Sequence, residues 1–514
     1  MVGRASDPKG TKGVLLGIDI GTTGVRAVVF SDDGAALADA SQACPHDAPS
    51  PGWAEADPEV WWRAIVRVLG ELAGTTRLDD IACIAVAGQA PTVVLVDAAG
   101  KAVRPAILWL DTRAHAEARE LGTPAYYLGP KLKWLATHEP QAIRGAKWLL
   151  QSHAFLAQRL TGEVAVDPST AALAEPLFDL AALTWVRNAF VRVNDAKSGV
   201  GLTAAQMPPL RRSHEVIGEV TAEAARTTGL RAGTPVVAGG GDFAAATLGA
   251  GVLREGESCL MLGTAGNLLV PRSTAGTDPR LINSHHVGAE SWLSLGGTLS
   301  GGAQEWLRHA LARGSLLDDD TAVRGALPSF EVLDGEAARV RVASDGLLFL
   351  PYLQGERTPI WDVTARGAYV GLGLDHGRGH LWRALLEGIA LGFVDCQAVV
   401  EEAGVVLREV VAANGGGKSA LFRQILCDAL GVPLAYAAKS GGTVAGAAIL
   451  AGLGAGILAK PEDARDWRGE LVRHEPDMAA HARYREMLTL RRAAYAGLKP
   501  VFEGLARSRE ASGK

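Results

Sequence analysis

The sequence predicts an α/β protein organised as two large domains. Three observations carry that prediction. The chain has 514 residues, more than one hydrophobic core normally serves. Near the start and again near the middle, two apolar runs flank a glycine–threonine tip, the pattern of a β-hairpin. Elsewhere, apolar strands pass through glycine turns into helices rich in small residues. Hydrophobic residues make up 48% and charged residues 21%, the balance of a soluble globular protein. The net charge of −5 gives no electrostatic reason to expect nucleic acid or an anionic membrane as partner. Cys44, Cys83, Cys259, Cys396 and Cys427 are scattered without a CxxC pair. That fits a reducing compartment and speaks against a zinc site or a disulfide framework. With no apolar stretch of membrane-spanning length, the expected location is cytoplasmic. Residues 1–13 are polar and are expected to form a disordered tail.

The first hairpin is Leu16 to Phe30, with Asp19 closing one apolar run and Gly21-Thr22-Thr23-Gly24 at the tip. Backbone amides and hydroxyls there can cradle phosphate oxygens, while the carboxylate can orient Mg²⁺. An ordinary hairpin turn uses the same residue types. Ser258 to Val270 repeats the pattern around Gly263-Thr264-Ala265-Gly266. The repetition suggests two related domains facing each other across a nucleotide. At these residues the chain resembles the FGGY family of carbohydrate kinases, within the sugar kinase, Hsp70 and actin superfamily, and the resemblance runs from residue 14 to about residue 490. It implies two ribonuclease-H-like domains, each a mixed sheet flanked by helices, with a cleft between them. Residues 14–243 would bind sugar and phosphates, residues 244–500 would bind ATP, and residues 501–514 would be a tail.

After the first hairpin, Asp32-Asp33-Gly34 is a turn and residues 35–43 read as a third strand. Asp57 can cap a helix with Pro58 at its first position, running through Leu72. Residues 81–86 and 93–96 are buried-strand runs separated by Gly88-Gln89-Ala90-Pro91-Thr92, and residues 106–113 read as another strand. In similar kinases these strand ends line the sugar pocket. Trp109 and Tyr126 match substrate-facing aromatic residues of the glycerol kinase branch; packing in the core is the plainer fate of such residues. Helical patterning dominates residues 140–210. Residues 235–246 then pass from an apolar strand through Gly239-Gly240-Gly241 and Asp242 into a small-residue helix. Asp242 can cap that helix, and the helix N-terminus favours an anion. Farther on, residues 382–402 read as one long helix. Residues 410–413 form a strand that turns at Gly415-Gly416-Gly417 into a helix ending at Leu430, and Gly441-Gly442-Thr443 leads into a helix over 445–453.

Several motifs are excluded. Gly417-Lys418-Ser419 is not a Walker A loop, because position 412 is alanine where that pattern needs glycine. Gly239-Gly240-Gly241 lacks dinucleotide-binding spacing. His285 and His286 are adjacent, so on a strand they would point to opposite faces, and a loop or surface pair is expected. No Gly-x-Ser-x-Gly elbow supports acyl transfer.

The resemblance assigns roles to named residues. Asp242 matches the catalytic base and, with Asp19, would hold Mg²⁺. Gly21, Thr22, Thr23, Arg26, Gly263 and Thr264 would contact the ATP phosphates, although a surface ion pair is the plainer role for Arg26. Gly415, Gly416 and Gly417 would let the backbone approach the adenine and ribose. Gln89, Ala90, Pro91, Trp109, Tyr126, Asp242 and Phe243 would line the sugar site, and domain closure would exclude water. The overall pattern is closest to the xylulose kinase branch, so D-xylulose converted to D-xylulose 5-phosphate is expected. The pocket departs from that branch: Ala90-Pro91 stands where Met-His is usual, and Phe243 where a polar amide is usual. Another ketose, polyol or sugar acid (ribulose, glycerol, gluconate) therefore stays open, as does a non-catalytic ATP-binding regulatory homologue. The residues after 490 are too few for a chaperone's peptide-binding domain. Similar kinases are commonly homodimers, and no segment here marks an interface.

Overall fold

The computed structural model describes residues 13–197, 199–312, 327–438 and 441–511. The tail expected at residues 1–13 lies outside them except for Gly13. The chain divides into two compact units. The first takes in the described residues up to Leu253 together with Asn283–Leu293 and Gly441–Arg468. The second takes in Arg254–Ile282, Gly469 onward and the described residues between 294 and 440. Both are α/β.

In the first unit, β1 (Val14–Ile20) and β2 (Gly24–Phe30) form the expected hairpin, with Asp19 opposite Arg26. The Gly21 amide donates to the Gly24 carbonyl at 2.9 Å and closes the tip. Strand β3 (Ala36–Ala43) extends the sheet at its edge. Helix α1 (Pro58–Ala73) starts where Asp57 accepts from the Glu59 amide, and it buries Trp61, Ile65, Val68 and Leu72. Strand β4 (Ile81–Gly88) lies parallel to β1, with Ala87 opposite Asp19 and Gly88 opposite Ile20. After β5 (Val216–Glu219) and β6 (Pro235–Val237), the short β7 (Gly240–Gly241) also pairs parallel with β4, Gly240 opposite Ala87 and Gly241 opposite Gly88. Asp242 opens helix α2 (Asp242–Gly249) directly afterwards. The parallel registers thus bring Asp19 and Asp242 to the same, carboxyl end of the sheet.

Three sequence expectations need correction. The strand expected over 106–113 is only Ala106–Ile107; beyond it the Asp111 amide turns back onto the Leu108 carbonyl. Residues 140–210 are not mainly helical. Helices Pro140–Gly145 and Ser152–Thr161 alternate with short strands, of which Trp148–Leu150 pairs with Val94–Val96. The helix Gly442–Gly454, read as part of the ATP-binding domain, packs in the first unit on β1 and α2. Small residues make that packing possible. A Cβ on Gly17 would lie 2.0 Å from the Val444 carbonyl oxygen, and one on Gly446 would lie 1.8 Å from that of Ala245.

The second unit is built on a sheet carrying, in order, β11 (Trp292–Leu299), β9 (Ala265–Arg272), β8 (Glu257–Leu262), β12 (Glu409–Ala413), β13 (Leu434–Ala437) and β14 (Leu471–His474); β10 is the strand Ile282–His285, between β9 and β11 in the chain. Strands β8 and β9 are the second hairpin foreseen in sequence. The long helix spans Arg378–Glu402 and is buried along most of its length. The C-terminal helix, Met478–Ala511, continues through the stretch expected to be a tail from residue 501. Its Tyr484 hydroxyl donates to the buried Glu387 carboxylate at 3.0 Å.

Candidate active site

The first unit assembles most of the candidate residues at the ends of β1, β4 and β7. Asp19 Oδ1 is covered and has no hydrogen-bond partner among the described residues. Burial raises the Asp19 pKa from 3.8 to about 7, partly offset by Arg26. Burial and then the charge of Asp19 raise that of Asp242 to about 8. Two carboxyls that disfavour each other's ionisation, one with an unpaired oxygen, form an acceptor set incomplete without a proton or a cation. Asp242 is not the helix cap. Gly241 holds that position, and the Asp242 carboxylate accepts from the Phe243 amide at 2.8 Å.

Around this pair, the Gln89 amide nitrogen donates to the Gly21 carbonyl at 3.3 Å, which ties the 88–92 loop to the first tip. Gln89 Oε1 is buried and unpartnered among the described residues. The Trp109 indole donates to Thr22 Oγ1 at 2.9 Å, and Tyr126 packs edge-on to Trp109 while its hydroxyl donates to the Ala90 carbonyl at 3.1 Å. Both aromatic residues are therefore bonded to the loops that carry the other candidates. Ala90 and Pro91 are buried and joined by a cis peptide bond. Phe243 is also buried, its ring against Gly241, where a Cβ would come within 2.6 Å of it. Thr23 is exposed at the tip. Arg26 is exposed and makes a two-pronged ion pair with Asp39, at 3.0 and 2.6 Å. An exposed pair of this kind contributes ~0–1 kcal/mol, so a phosphate could displace Asp39 at small cost.

Two features were missed in sequence. Lys131 is fully buried, and its ammonium donates to the carbonyls of Leu108 at 2.8 Å and Trp109 at 3.3 Å. Burial lowers its pKa to about 7, against the opposing pull of Asp111. Its signal was a lysine flanked by Pro130 and Leu132 in the largely apolar helical segment Leu128–His138, where Lys133 is the other lysine. The second feature is a buried polar cluster of Gln151, Ser152, His153, Asp167, Ser169 and Thr170. His285 and His286, expected as a loop or surface pair, are both buried, His285 as the last residue of a strand and His286 in the loop just after it. The ring of His286 bonds the Val252 carbonyl at 3.0 Å and accepts from the Gly288 amide at 3.0 Å, so its work is structural.

The remaining candidates lie in the second unit. At the second tip, the Gly301 amide donates to the Gly263 carbonyl at 2.9 Å, and the Gly302 amide to that of Thr264 at 3.0 Å. Helix Gly301–Ala312 thus starts against the tip. Gly416 packs on Leu262, immediately before that tip, where a Cβ would fall 2.9 Å from the Leu262 side chain. Gly417 packs on the Tyr436 ring at 2.5 Å by the same measure. The glycines are required by close packing, and the turn Gly415–Lys418 is held beside Gly263 and Thr264 as a result.

Among the described residues, no group of three or more His, Cys, Asp or Glu side chains could hold a metal ion by itself. The Asp19 and Asp242 pair fits a hard cation such as Mg²⁺, which keeps several waters and uses one or two carboxylates. No helix among the described residues is long and apolar enough to cross a membrane.

Comparison with known proteins accounts for this arrangement. Residues 14–249 match the N-terminal domain of the FGGY family of carbohydrate kinases, and residues 252–455 match its C-terminal domain. The xylulose kinase of Escherichia coli strain K12 is 32% identical over 510 residues, covering 95% of this chain and 100% of that protein. The gluconokinase of Bacillus subtilis strain 168 is 28% identical over 496 residues, covering 93% and 94%. The crystal structure of xylulose kinase from Rhodospirillum rubrum superposes with a TM-score of 0.83 at 34% identity, covering 95% of this chain and 100% of that one. Matched along both halves, the chain belongs to the FGGY family of carbohydrate kinases and is an ATP-dependent sugar phosphotransferase.

Proposed function

We propose that the acceptor is a small neutral sugar, with D-xylulose as the first candidate and D-xylulose 5-phosphate as the product, and that Asp242 is the base. The observation that carries this reading is the pair of half-buried carboxyls at one sheet end, Asp19 with a covered, unpaired oxygen and Asp242 at the mouth of a helix. Asp242 takes the proton of the sugar hydroxyl as its oxygen bonds to the γ-phosphorus and ADP leaves. Asp19, with Asp242, is the donor set for Mg²⁺, which when bound would neutralise charge on the phosphate oxygens. Thr22 and Thr23 with the tip amides are the phosphate donors of the first unit. Gly263 and Thr264 are those of the second, and Gly415, Gly416 and Gly417 are its nucleotide-facing turn.

Gln89 Oε1, buried and unpartnered among the described residues, is an acceptor on the loop tied to the first tip. An acceptor there suits the hydroxyl of a neutral sugar better than the carboxylate of a sugar acid, which favours a ketose over gluconate. The test is ADP release with Mg²⁺ across ketoses, polyols and sugar acids, for wild type and Asp242→Ala. Release that depends on xylulose and vanishes in the variant is the expected result. Release driven only by gluconate would overturn the substrate, and a slow background shared by both proteins would point to a non-catalytic homologue.

A further inference from the structure

Behind β7 lies the buried polar cluster that the catalytic reading leaves without a task. Asp167, Ser169, Thr170, Ser152 and His153 are all fully buried. The Asp167 carboxylate accepts from the Ser169 amide at 2.8 Å and from the hydroxyls of Ser169 and Thr170. His153 Nε2 stands 3.3 Å from Oδ1, the oxygen that accepts from Thr170. Burial works against the charged form of Asp167, and His153 and the two hydroxyls outweigh it, so this carboxyl sits below its ordinary range. With its proton given to Asp167, Ser169 Oγ accepts from the Gly241 amide at 3.1 Å. Gly241 is the residue immediately before Asp242. Gly240 is held just as closely: a Cβ there would lie 3.1 Å from Asp167 Oδ2 and 3.2 Å from Ser169 Oγ.

The same cluster reaches the other side of the site. Ser152 Oγ donates to the Gln89 carbonyl at 2.9 Å, and Gln151 Oε1 accepts from the Thr92 amide at 2.8 Å. Gln151 also reaches the Thr170 carbonyl, at 3.5 Å. One buried network therefore holds both the strand that delivers Asp242 and the loop that carries Gln89. Strand β7 is only two residues long, so its ladder to β4 fixes its direction poorly, and the Ser169 bond supplies a third point of attachment.

We infer that Ser169, oriented by Asp167, is a positioning residue that sets where the Asp242 carboxylate stands relative to the sugar hydroxyl. Neither side chain touches the reacting atoms; both act through the Gly241 amide. The inference rests on the reading of Asp242 as the base. Positioning errors of this kind lower the rate of transfer to a specific hydroxyl without loosening either substrate.

The experiment measures sugar-dependent transfer and sugar-independent ATP hydrolysis in Ser169→Ala, Asp167→Asn and Asp242→Asn, with thermal midpoints and circular dichroism as folding controls. In Ser169→Ala, kcat for transfer should fall tenfold or more, while KM for ATP and for sugar stays within about threefold. Hydrolysis without sugar, in which water needs no aligned base, should hold, so its ratio to transfer rises tenfold. A merely structural role would lower both rates by the same factor through loss of folded protein. Equal loss of both rates, or transfer within twofold of wild type, overturns the inference. If Ser169→Ala does not fold, Asp167→Asn decides by the same ratio, because it keeps the shape of the cluster and loses the charge that orients Ser169. Asp242→Asn separates the two readings. If it retains transfer, the base assignment has failed; if it is inactive while the other two variants are unaffected, the positioning role has failed.

Discussion

Replacing Asp242 by asparagine keeps the side chain's size and removes its titration, so the variant should gain stability in a pH-dependent way while losing activity. In the native protein, burial and the charge of Asp19 raise the Asp242 pKa from 3.8 to about 8. The unfolded chain releases that proton near pH 4, and the folded chain keeps it to about pH 8. Between those limits the folded state binds more protons, so stability falls as pH rises and the full cost is reached only above the folded pKa. A displacement of about four pH units corresponds to a ceiling of ~6 kcal/mol. The pair is coupled, since Asp19 is itself raised to about 7, and one proton relieves both partners. A net gain of ~2 kcal/mol at pH 8.5 follows for Asp242→Asn, shrinking as pH is lowered toward 4. For a unit of about 290 residues this is a rise of ~3–4 °C in the unfolding midpoint. Calorimetry at pH 5.0, 6.5 and 8.5, without nucleotide or divalent cation, reads it directly. The same variant should lose ~10²–10⁴-fold in phosphoryl transfer, the usual worth of a general base. A midpoint shift that is constant with pH, or a loss of stability at pH 8.5, would refute the account of this pair.

Further outcomes are expected elsewhere. Gly446→Ala places a methyl 1.8 Å from the Ala245 carbonyl oxygen; it should cost several kcal/mol, on the order of other overpacked sites, and a urea titration should show the lower midpoint. Lys131→Met leaves the carbonyls of Leu108 and Trp109 without their donor, costing ~1–3 kcal/mol, and should raise KM for sugar more than KM for ATP. Arg26→Ala should change stability by less than ~1 kcal/mol, because its pair with Asp39 is exposed. It should raise KM for ATP several-fold if the guanidinium leaves Asp39 for phosphate, and steady-state kinetics would expose an unchanged KM.

Local chemistry made much of the fold readable. Both hairpins, the Asp57 cap, the Gly240–Asp242 junction and the strand–glycine–helix run at 409–430 follow from β-branched runs, turn residues and capping rules that act within about ten residues. What escaped was set by distant partners. The run at 106–113 has strand composition, but Ala106 and Ile107 alone in it pair as a strand, with Glu55 and Ala56, before Asp111 turns the chain. His285 and His286 are polar enough for the surface, yet the His286 ring finds partners in Val252 and Gly288, and the His285 ring in the His286 carbonyl, which no local pattern reveals. Lys131 and the Asp167 cluster are polar residues inside a core, and each is there because a backbone group needs it. Of the candidate residues, the fold gathers Asp19, Gln89, Trp109, Tyr126 and Asp242 in the first unit, where the resemblance grouped them. Phe243 lies there too, its ring packed against Gly241.

The helix Gly442–Gly454 shows how function-bearing spacing can be set by residues with no functional groups. β1 carries Asp19 and α2 begins with Asp242, and this one helix packs on both. Gly17 on β1 admits the Val444 carbonyl, Gly249 on α2 admits the Gly442 carbonyl, and Gly446 admits Ala245 in return. Each contact brings backbone to backbone, where there is no side chain to adjust, so the distance from strand to helix has little freedom. A larger residue at any of these positions would move β1 or α2 as a body and carry its carboxyl with it. The two acids therefore owe their separation to three attachments: the parallel ladders of β1 and β7 on β4, the Ser169 bond at Gly241, and this glycine-lined helix. The first is written in local sequence pattern. The other two come from segments about 75 residues before and about 200 residues after Asp242, which is why the pair could be named from sequence while its geometry could not.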